Sequence, residues 1–362
     1  MKDVSGKGAV ISSLIYHWTF AFLTGFILIS AIYSMFLGRE YLTFENSIYD
    51  GILPVNEQGT KQVAGMEGYG ITTHGSEGLV VNKPIKESVT RLVFWGDSFV
   101  EAIQVSDQKK FSEIVDSTWN TRNKNTPVQS LNIGLAGLDT RAFLQFSENV
   151  NSIYSPDYLF LMLGNADFLP LSKNPDLMNN VRNGNYDDLV SPKSTKAIYS
   201  IVNSLGLSSF TIRLKRQTFA FWNSQSTKQH NANKEGTVPL LDANLKESIR
   251  LQLRALKNIW GDKLVILYRE RVTDFGRNPE EGKATELYQA LIEESVSFID
   301  TYDPLLAATV EGSSPYGFMN FPLGTGHLNE IGHQAVANSV LVFLESKICF
   351  SPVLFFCFSL LR

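Results

Sequence analysis

The stretch VFWGDSFVEA (93–102) carries an apolar run directly into a glycine, an aspartate and a serine. An apolar run of this length, bounded by polar residues, indicates a buried strand. In α/β proteins the chemistry takes place at the carboxyl ends of the strands, which is where Ser98 stands. A serine hydroxyl is a weak nucleophile until a neighbouring base accepts its proton, and backbone N–H groups must then meet the oxyanion that forms. The stretch therefore predicts nucleophilic catalysis by Ser98.

Three later stretches place small and polar residues at the end of an apolar run or before a helix. Gly134 and Gly137 end the second predicted strand, GNAD (164–167) ends the third, and GHLNEIGH (326–333) leads into the last predicted helix. In this order the four blocks resemble the SGNH, or GDSL-type, hydrolase superfamily, whose members are esterases and acyl transferases of flavodoxin-like fold. The resemblance extends over about residues 90–346.

The resemblance implies a role for one residue in each block. Ser98 corresponds to the nucleophile and its N–H to one oxyanion donor, while Gly137 matches the glycine whose N–H is a second donor. His327 matches the histidine that takes the Ser98 proton, and Asn165 is the candidate for the amide donor of the third block. No cofactor is implied, and no Cys/His cluster or Glu-x-x-His pattern in the sequence suggests a catalytic metal.

The chain departs from the family pattern at two places. The family usually has Asp three residues before the histidine, but this chain has Gly324 there. The acid fixes the imidazole tautomer, and its replacement by an amide in the serine-protease template lowers turnover about 10⁴-fold. Either a backbone carbonyl or a carboxylate from elsewhere in the fold is then expected to orient His327. In the third block Ala166 occupies the asparagine position, so Asn165 reaches the site only if the loop shifts its register.

The other ionisable residues in these blocks are interpreted as structural. His333 begins the final helix in the family pattern, so we expect it to pack or to cap rather than to act as a rival base. Asp97 and Asp167 are expected to bind loop N–H groups, and the spacing of Asp139 does not place it.

Predicted strands and helices alternate along the chain, which favours a parallel sheet covered by helices on both faces. Together with the resemblance, this predicts an α/β, flavodoxin-like three-layer sandwich. The predicted strands lie at 91–95, 128–137, 158–164, 263–268 and 296–300. The domain is expected at 91–347 with an insertion at about 169–240, after a linker with short strands at 41–90.

The N-terminal region is strongly apolar. From Gly8 to Gly38 there are 31 residues without Asp, Glu, Lys or Arg, and a bilayer span needs only about 20 apolar residues. Residues 1–40 are therefore predicted to be a cytoplasmic stub and an uncleaved transmembrane anchor in the cytoplasmic membrane. Lys2 and Lys7 precede the span, so the positive-inside rule places the main domain outside the cytoplasm, in the periplasm or the extracellular space. The role of the apolar tail at 348–362 is left open.

Composition argues against nucleic acid as a partner. The chain has 36 acidic and 32 basic residues, a net charge of −4, whereas nucleic-acid binding normally requires a clustered basic face.

The function expected from the sequence is a serine-dependent esterase or O-acyl transferase, most readily an O-acetyl transferase, which acts on an extracytoplasmic carbohydrate through an acyl-enzyme on Ser98. Two alternatives stay open. One is a catalytically degenerate relative that binds polysaccharide or a polysaccharide-assembly protein, because the acid at position 324 is missing and the third-block asparagine is shifted to Asn165. The other is a lipid esterase, which the apolar tail suggests.

Overall fold

The structure is a computed structural model and describes residues 5–37, 42–63, 67–80, 83–190, 243–270 and 285–349. The chain divides into two compact units, Met1–Leu42 with Ser194–Glu235 and Thr43–Lys193 with Gly236–Arg362. The candidate site lies entirely in the second, α/β unit.

Helix α1 (Ser5–Leu37) forms over the run that lacks charged residues. Eleven of its large apolar side chains between Leu14 and Ile32 are exposed, from 52% for Leu23 to 72% for Phe22. Over the described residues, no helix combines the length and the apolar character needed to cross a bilayer. The transmembrane anchor stays a prediction.

The strands and helices of the described chain follow the predicted alternation. The strands are β1 (Leu42–Thr43), β2 (Val55–Asn56), β3 (Lys61–Val63), β4 (Ile71–Thr73), β5 (Thr90–Trp95), β6 (Val128–Asn132), β7 (Tyr158–Leu163), β8 (Leu264–Tyr268) and β9 (Phe298–Asp300). The helices after α1 are α2 (Ser98–Glu101), α3 (Phe111–Arg122), α4 (Thr140–Gln145), α5 (Ser147–Tyr154), α6 (Leu169–Ser172), α7 (Pro175–Arg182), α8 (Ala243–Trp260), α9 (Glu286–Glu293), α10 (Tyr302–Val310) and α11 (Glu330–Leu344). Short 3₁₀ turns lie at Ser76–Gly78, Asp107–Lys109, Asn165–Phe168 and Gly261–Lys263, and a π-helical turn follows α11 at Glu345–Cys349.

Strands β5 to β9 form a parallel five-stranded sheet in the order β6-β5-β7-β8-β9. The chain first steps from β5 to β6 and then runs in the opposite direction along the sheet. Because crossovers between parallel strands are right-handed, this reversal puts α3 on one face and the helices after β6, β7 and β8 on the other. The helix packing agrees, since α3 packs against α11, and α8 packs against α4 and α9. The predicted α/β fold with a central parallel sheet is confirmed.

The sheet positions the site through its register and its burial. Phe94 of β5 pairs with Asn132 of β6 and with Phe160 of β7, and the two phenylalanine rings stack at 4.9 Å. The central strands β7 (YLFLML) and β8 (LVILY) are apolar over nearly their whole length because helices cover both faces. The strand order reverses between β5 and β7, which is where ligands bind in open α/β sheets. Ser98 follows β5 at this point.

The segment predicted as a linker with short strands belongs to the α/β unit. It does form short strands, and β3 pairs antiparallel with β4. However, Ile48, Tyr49, Val55 and Leu79 are buried in the same core as the sheet. Their burial has no sequence signal because they are separated by glycine, proline and turns and follow no regular period.

Two other predicted segments are only partly described. In the predicted insertion, α6 and α7 occupy residues 169–182, while 191–242 lie outside the described residues. Most of the apolar tail, 350–362, also lies outside them.

Candidate active site

Ser98 is the first residue of α2, immediately beyond the carboxyl end of β5. Asp97 caps this helix, because its carboxylate accepts a 2.9 Å hydrogen bond from the Phe99 N–H. Gly96 permits the tight turn, since a Cβ at this position would overlap the Val100 side chain. The cap and the glycine together fix Ser98 at the edge of the sheet. Asp97 thus has the structural role expected from the sequence, although the N–H group that it binds belongs to the first turn of a helix and not to a loop.

His327 contacts the nucleophile from the loop before α11. Its Nε2 atom lies 2.8 Å from Ser98 Oγ, a distance at which the imidazole can accept the serine proton. Asn329 holds this loop in place. Its side chain accepts from the Ile331 N–H at 3.0 Å and donates to the Ser314 carbonyl at 2.6 Å.

A carboxylate that the sequence analysis did not identify completes the arrangement. Glu67 Oε2 lies 2.7 Å from His327 Nδ1, and Glu67 Oε1 accepts from the backbone N–H of His327. A carboxylate at Nδ1 holds the ring proton there and leaves Nε2 able to accept the proton of Ser98. The Glu67 side chain is only 13% exposed, so little water competes for these bonds. Of the two alternatives left open for orienting His327, the structure therefore shows a carboxylate from elsewhere in the fold.

Glycines on both sides of this contact make room for Glu67. Gly326, next to the histidine, has a φ of +75°, and a Cβ there would overlap Glu67 Oε1. Gly68 has a φ of +73°, and a Cβ on it would overlap the Gln104 carbonyl. The Gly68 N–H donates to Asn320 Oδ1 at 2.8 Å. The backbone of the Glu67 segment is thus pinned between two other parts of the α/β unit.

A buried lysine ties the Glu67 segment to the helix of the nucleophile. Lys110 Nζ donates to Thr72 Oγ1 in β4 at 2.9 Å, and to the carbonyls of Ala102 and Val105, just after α2. Burial lowers the pKa of Lys110 to about 8. Because β4 follows Glu67 closely in the chain, the Lys110 ammonium group joins the backbone segment that carries Glu67 to the segment that follows Ser98.

The N–H groups of Ser98 and Gly137 are the two donors that the resemblance implies for an oxyanion hole. Within the described chain, the N–H groups of Ser98 and Gly137 donate to no protein acceptor. Gly137 has a φ of +83°, and no atom lies within 4 Å of a Cβ built on it, so open space surrounds it. Gly134 brings this turn close to α2, since a Cβ there would overlap the Glu101 N–H. These features suit the oxyanion hole that the resemblance implies, and that role stays a prediction.

Asn165 has partners outside the candidate site. Its Nδ2 donates to Glu286 Oε2 at 2.5 Å, and its Oδ1 accepts from the Leu287 N–H at 2.9 Å. Its backbone N–H donates to Glu270 Oε1 at 2.9 Å. Both ends of the amide fasten the loop after β7 to the start of α9, so the loop does not make the shift in register that the sequence analysis required. This geometry favours a structural amide over the predicted oxyanion donor.

The remaining acids in these blocks make structural contacts. Asp167 Oδ2 accepts from the Gly164 N–H at 2.7 Å, as expected from the sequence. Asp139 caps α4 and pairs with Arg141 at 2.7 Å. Among the described residues, no group of three or more His, Cys, Asp or Glu side chains could hold a metal ion.

His333, the rival base in the sequence, is buried in α11. Its ring stacks on Phe111 at 5.5 Å, and its Nδ1 accepts from the Phe111 N–H at 3.3 Å. Burial lowers its pKa to about 3, so it stays neutral in the folded protein. The structure gives His333 the packing role expected from the sequence.

His333 should make the fold sensitive to acid. Its pKa is about 3 in the fold and about 6.5 in an unfolded chain, so unfolding takes up a proton between these values. Stability is therefore lost as the pH falls below about 6.5. In urea titrations, we expect the wild type to lose about 2 kcal/mol more than His333→Asn between pH 7.5 and pH 5. Equal losses in the two proteins would contradict this prediction.

No family model and no curated protein matches the chain. Several solved structures are similar to it. A member of the lipolytic G-D-S-L family from Veillonella parvula is 15% identical, covers 70% of this chain and 97% of its own, and has a TM-score of 0.38. A variant of an acetyl xylan esterase from Geobacillus stearothermophilus is 14% identical, with coverages of 70% and 93% and a TM-score of 0.38. A lipase/acylhydrolase from Enterococcus faecalis is 13% identical, with coverages of 72% and 97% and a TM-score of 0.38. The function of this chain has to be argued from its own side chains.

Proposed function

We propose that the chain is a serine-dependent ester hydrolase or acyl transferase of the SGNH type. The observation that carries the proposal is the continuous hydrogen-bonded series from Ser98 Oγ through His327 to the Glu67 carboxylate. A hydroxyl, an imidazole and a carboxylate in this order form the constellation that activates serine for acyl transfer on several unrelated folds. A catalytically inactive relative was expected as an alternative because the acid at position 324 is missing and the third-block asparagine is shifted. Glu67 supplies a carboxylate for His327 and so answers the first of these two arguments.

In the first half of the reaction, Ser98 Oγ attacks the ester carbonyl while His327 Nε2 takes its proton. The negative charge that develops on the carbonyl oxygen is met by the N–H groups of Ser98 and Gly137. Glu67 stabilises the imidazolium that forms. His327 then returns the proton to the leaving alcohol, which departs and leaves an acyl group on Ser98.

In the second half, His327 removes a proton from the group that attacks the acyl-enzyme. Attack by water gives a free acid and makes the protein a hydrolase. Attack by a sugar hydroxyl gives a new ester and makes it a transferase. Both routes regenerate Ser98 with the same residues, so the access of water to the acyl-enzyme decides between them.

The proposed substrate is an O-acylated carbohydrate outside the cytoplasm, with acetyl as the simplest acyl group. The proposed location supports this choice, since a membrane-anchored domain outside the cytoplasm meets cell-surface polysaccharides. The anchor itself is proposed from the charge-free run at Gly8–Gly38 and from the exposed apolar side chains along α1. Lys2 and Lys7 ahead of the run support the orientation.

A loop beside Glu67 favours a second candidate, an esterase for longer acyl chains or lipids. Met319 is fully exposed and Leu323 is 65% exposed, although the loop is held by paired backbone hydrogen bonds between Phe318 and Phe321. These two exposed apolar side chains are the observation that favours an apolar acyl chain in the substrate. Comparing acetylated oligosaccharides with long-chain esters distinguishes the two candidates, because hydrolysis of only the latter would exclude the carbohydrate substrate.

A serine-directed fluorophosphonate tests the proposed chemistry on the full chain. We expect labelling of the wild type and of Ser117→Ala, which removes an exposed serine hydroxyl on α3, and no labelling of Ser98→Ala. A folded wild type that stays unlabelled would support the binding protein, a partner of polysaccharide or of its assembly proteins. If the protein is labelled, the products formed from an acetylated oligosaccharide in the presence of a second sugar distinguish hydrolysis from transfer.

A further inference from the structure

Arg269 lies directly beyond the carboxyl end of β8, in a position to which no sequence motif points. Its backbone is locked against the end of β7. The Arg269 N–H donates to the Leu163 carbonyl at 2.9 Å, and a Cβ on Gly164 would lie 2.5 Å from the Arg269 carbonyl oxygen. The guanidinium group therefore starts from a fixed point at the same edge of the sheet as Ser98.

The guanidinium contacts the residues immediately before and after the nucleophile. Its Nη2 atom lies 3.5 Å from Asp97 Oδ2, and its Cζ atom lies 3.8 Å from the centre of the Phe99 ring. Asp97 caps α2 and so orients the first turn of the helix that bears Ser98. The centre of the Phe99 ring is in turn 5.0 Å from that of His327. The Arg269 side chain thus contacts both neighbours of Ser98, and one of them, Phe99, in turn packs against the His327 ring.

The same cation separates two carboxylates. Arg269 Nη2 lies 3.4 Å from Asp167 Oδ2, and both acids are largely buried, with side-chain exposures of 16% for Asp97 and 10% for Asp167. Burial raises the pKa of Asp167 to about 7, while the charge of Arg269 acts to lower it and the charge of Asp97 to raise it. Without the guanidinium the pKa of Asp167 would rise further, so Asp167 would take up a proton, and the Asp97 carboxylate that caps α2 would lose its cationic partner.

We propose that Arg269 is a positioning residue of the active site, which holds the Ser98 turn and its oxyanion N–H by binding the residues on either side of the nucleophile. The inference rests on the proposed function. A planar guanidinium can stack on an aromatic ring while its N–H groups meet carboxylates, whereas an ammonium group is a point charge without a flat face. Lysine is therefore expected to replace Arg269 only in part.

The test measures the second-order rate of fluorophosphonate labelling, together with kcat and KM on p-nitrophenyl acetate. Arg269→Met should react about 10-fold to 100-fold more slowly, because small misplacements of a reacting group cost rates of this order. The loss should fall on kcat with KM little changed. Because unfolded molecules also lower the apparent kcat without changing KM, kcat is calculated per folded molecule, with the folded fraction measured by circular dichroism. Arg269→Lys should be intermediate.

Arg254→Met is the matched control, because it also removes an arginine from ion pairs with a carboxylate, that of Glu294, but on an exposed helix surface. It should keep the wild-type rates. Wild-type labelling and kcat in a folded Arg269→Met protein would overturn the inference, and so would a loss confined to KM. If the methionine variant does not fold, wild-type rates in Arg269→Lys overturn it. A wild type that is not labelled at all defeats the proposed function, whereas labelling that is equally fast in wild type and variants defeats this inference alone.

Discussion

Glu67→Gln is expected to lower kcat by about 10⁴-fold with little change in KM, as the amide replacement of the acid does in the serine-protease template. The physical reason lies in the two bonds that the carboxylate accepts, one at His327 Nδ1 and one at the His327 backbone N–H. A carboxamide has only one oxygen. If its NH₂ faces Nδ1, the ring proton must move to Nε2, which can then no longer accept from Ser98. If its NH₂ faces the backbone N–H, two donors meet in a nearly buried site.

Steady-state hydrolysis of an activated ester by the full chain measures this effect. Glu77→Gln is the control, since Glu77 lies in the same segment and its carboxylate accepts from the Ser47 N–H at 2.6 Å, far along the chain from His327. It should keep wild-type turnover. A Glu67→Gln enzyme within about tenfold of the wild type would show that something other than Glu67 sets the tautomer of His327, and the backbone carbonyl considered from the sequence would return as the alternative.

The parts of the site that the sequence predicts are those that depend on local pattern. Apolar runs place the sheet strands because both faces of a parallel sheet are buried. Ser98 and His327 are identified because each stands in a short block with its own glycine or asparagine neighbours, and Ser98 also follows a strand. The structure brings these two side chains to within 2.8 Å.

The acid could not be predicted in this way because its position depends on tertiary packing. Glu67 is separated from His327 by 260 positions, and it lies in a segment whose buried residues follow no regular period. The available signals were indirect. Gly324 stands where the family has its acid, and Gly326 removes a side chain next to the histidine. Both glycines indicate that another group could occupy the space beside the imidazole, but neither identifies it.

For Asn165 the structure shows contacts that the motif did not indicate, and its role as an oxyanion donor stays a prediction. From the sequence, this side-chain amide is a candidate donor to the oxyanion. In the structure it is hydrogen-bonded to residues at the start of α9. Glu286 and the Leu287 N–H occupy both ends of its side chain. A motif residue can therefore bind a substrate only if its polar atoms are not already hydrogen-bonded within the protein. The spacing of residues along the chain does not show whether they are.

Gly326→Ala should reproduce much of the loss of turnover expected for Glu67→Gln, although it leaves the glutamate itself in the sequence. A Cβ at this position overlaps Glu67 Oε1, so the carboxylate has to move away from the imidazole. We expect kcat to fall about 10²-fold to 10³-fold, because a group displaced by about 1 Å already costs about 10²-fold. The effect is measured with the same ester, and the positive φ adds a loss of stability of about 1–2 kcal/mol.

Gly312→Ala separates the two effects of Gly326→Ala, which are the strain of a side chain at positive φ and the overlap with Glu67. Gly312 has a φ of +84°, close to the +75° of Gly326, but no atom lies within 4 Å of a Cβ built on it. It should lose similar stability and keep its turnover. The double variant Glu67→Gln with Gly326→Ala gives a second criterion, because two changes that act through the same hydrogen bonds are not additive. The double variant should be no slower than Glu67→Gln alone. If the rate loss of the double variant equals the product of the two single losses, Gly326 affects catalysis independently of Glu67.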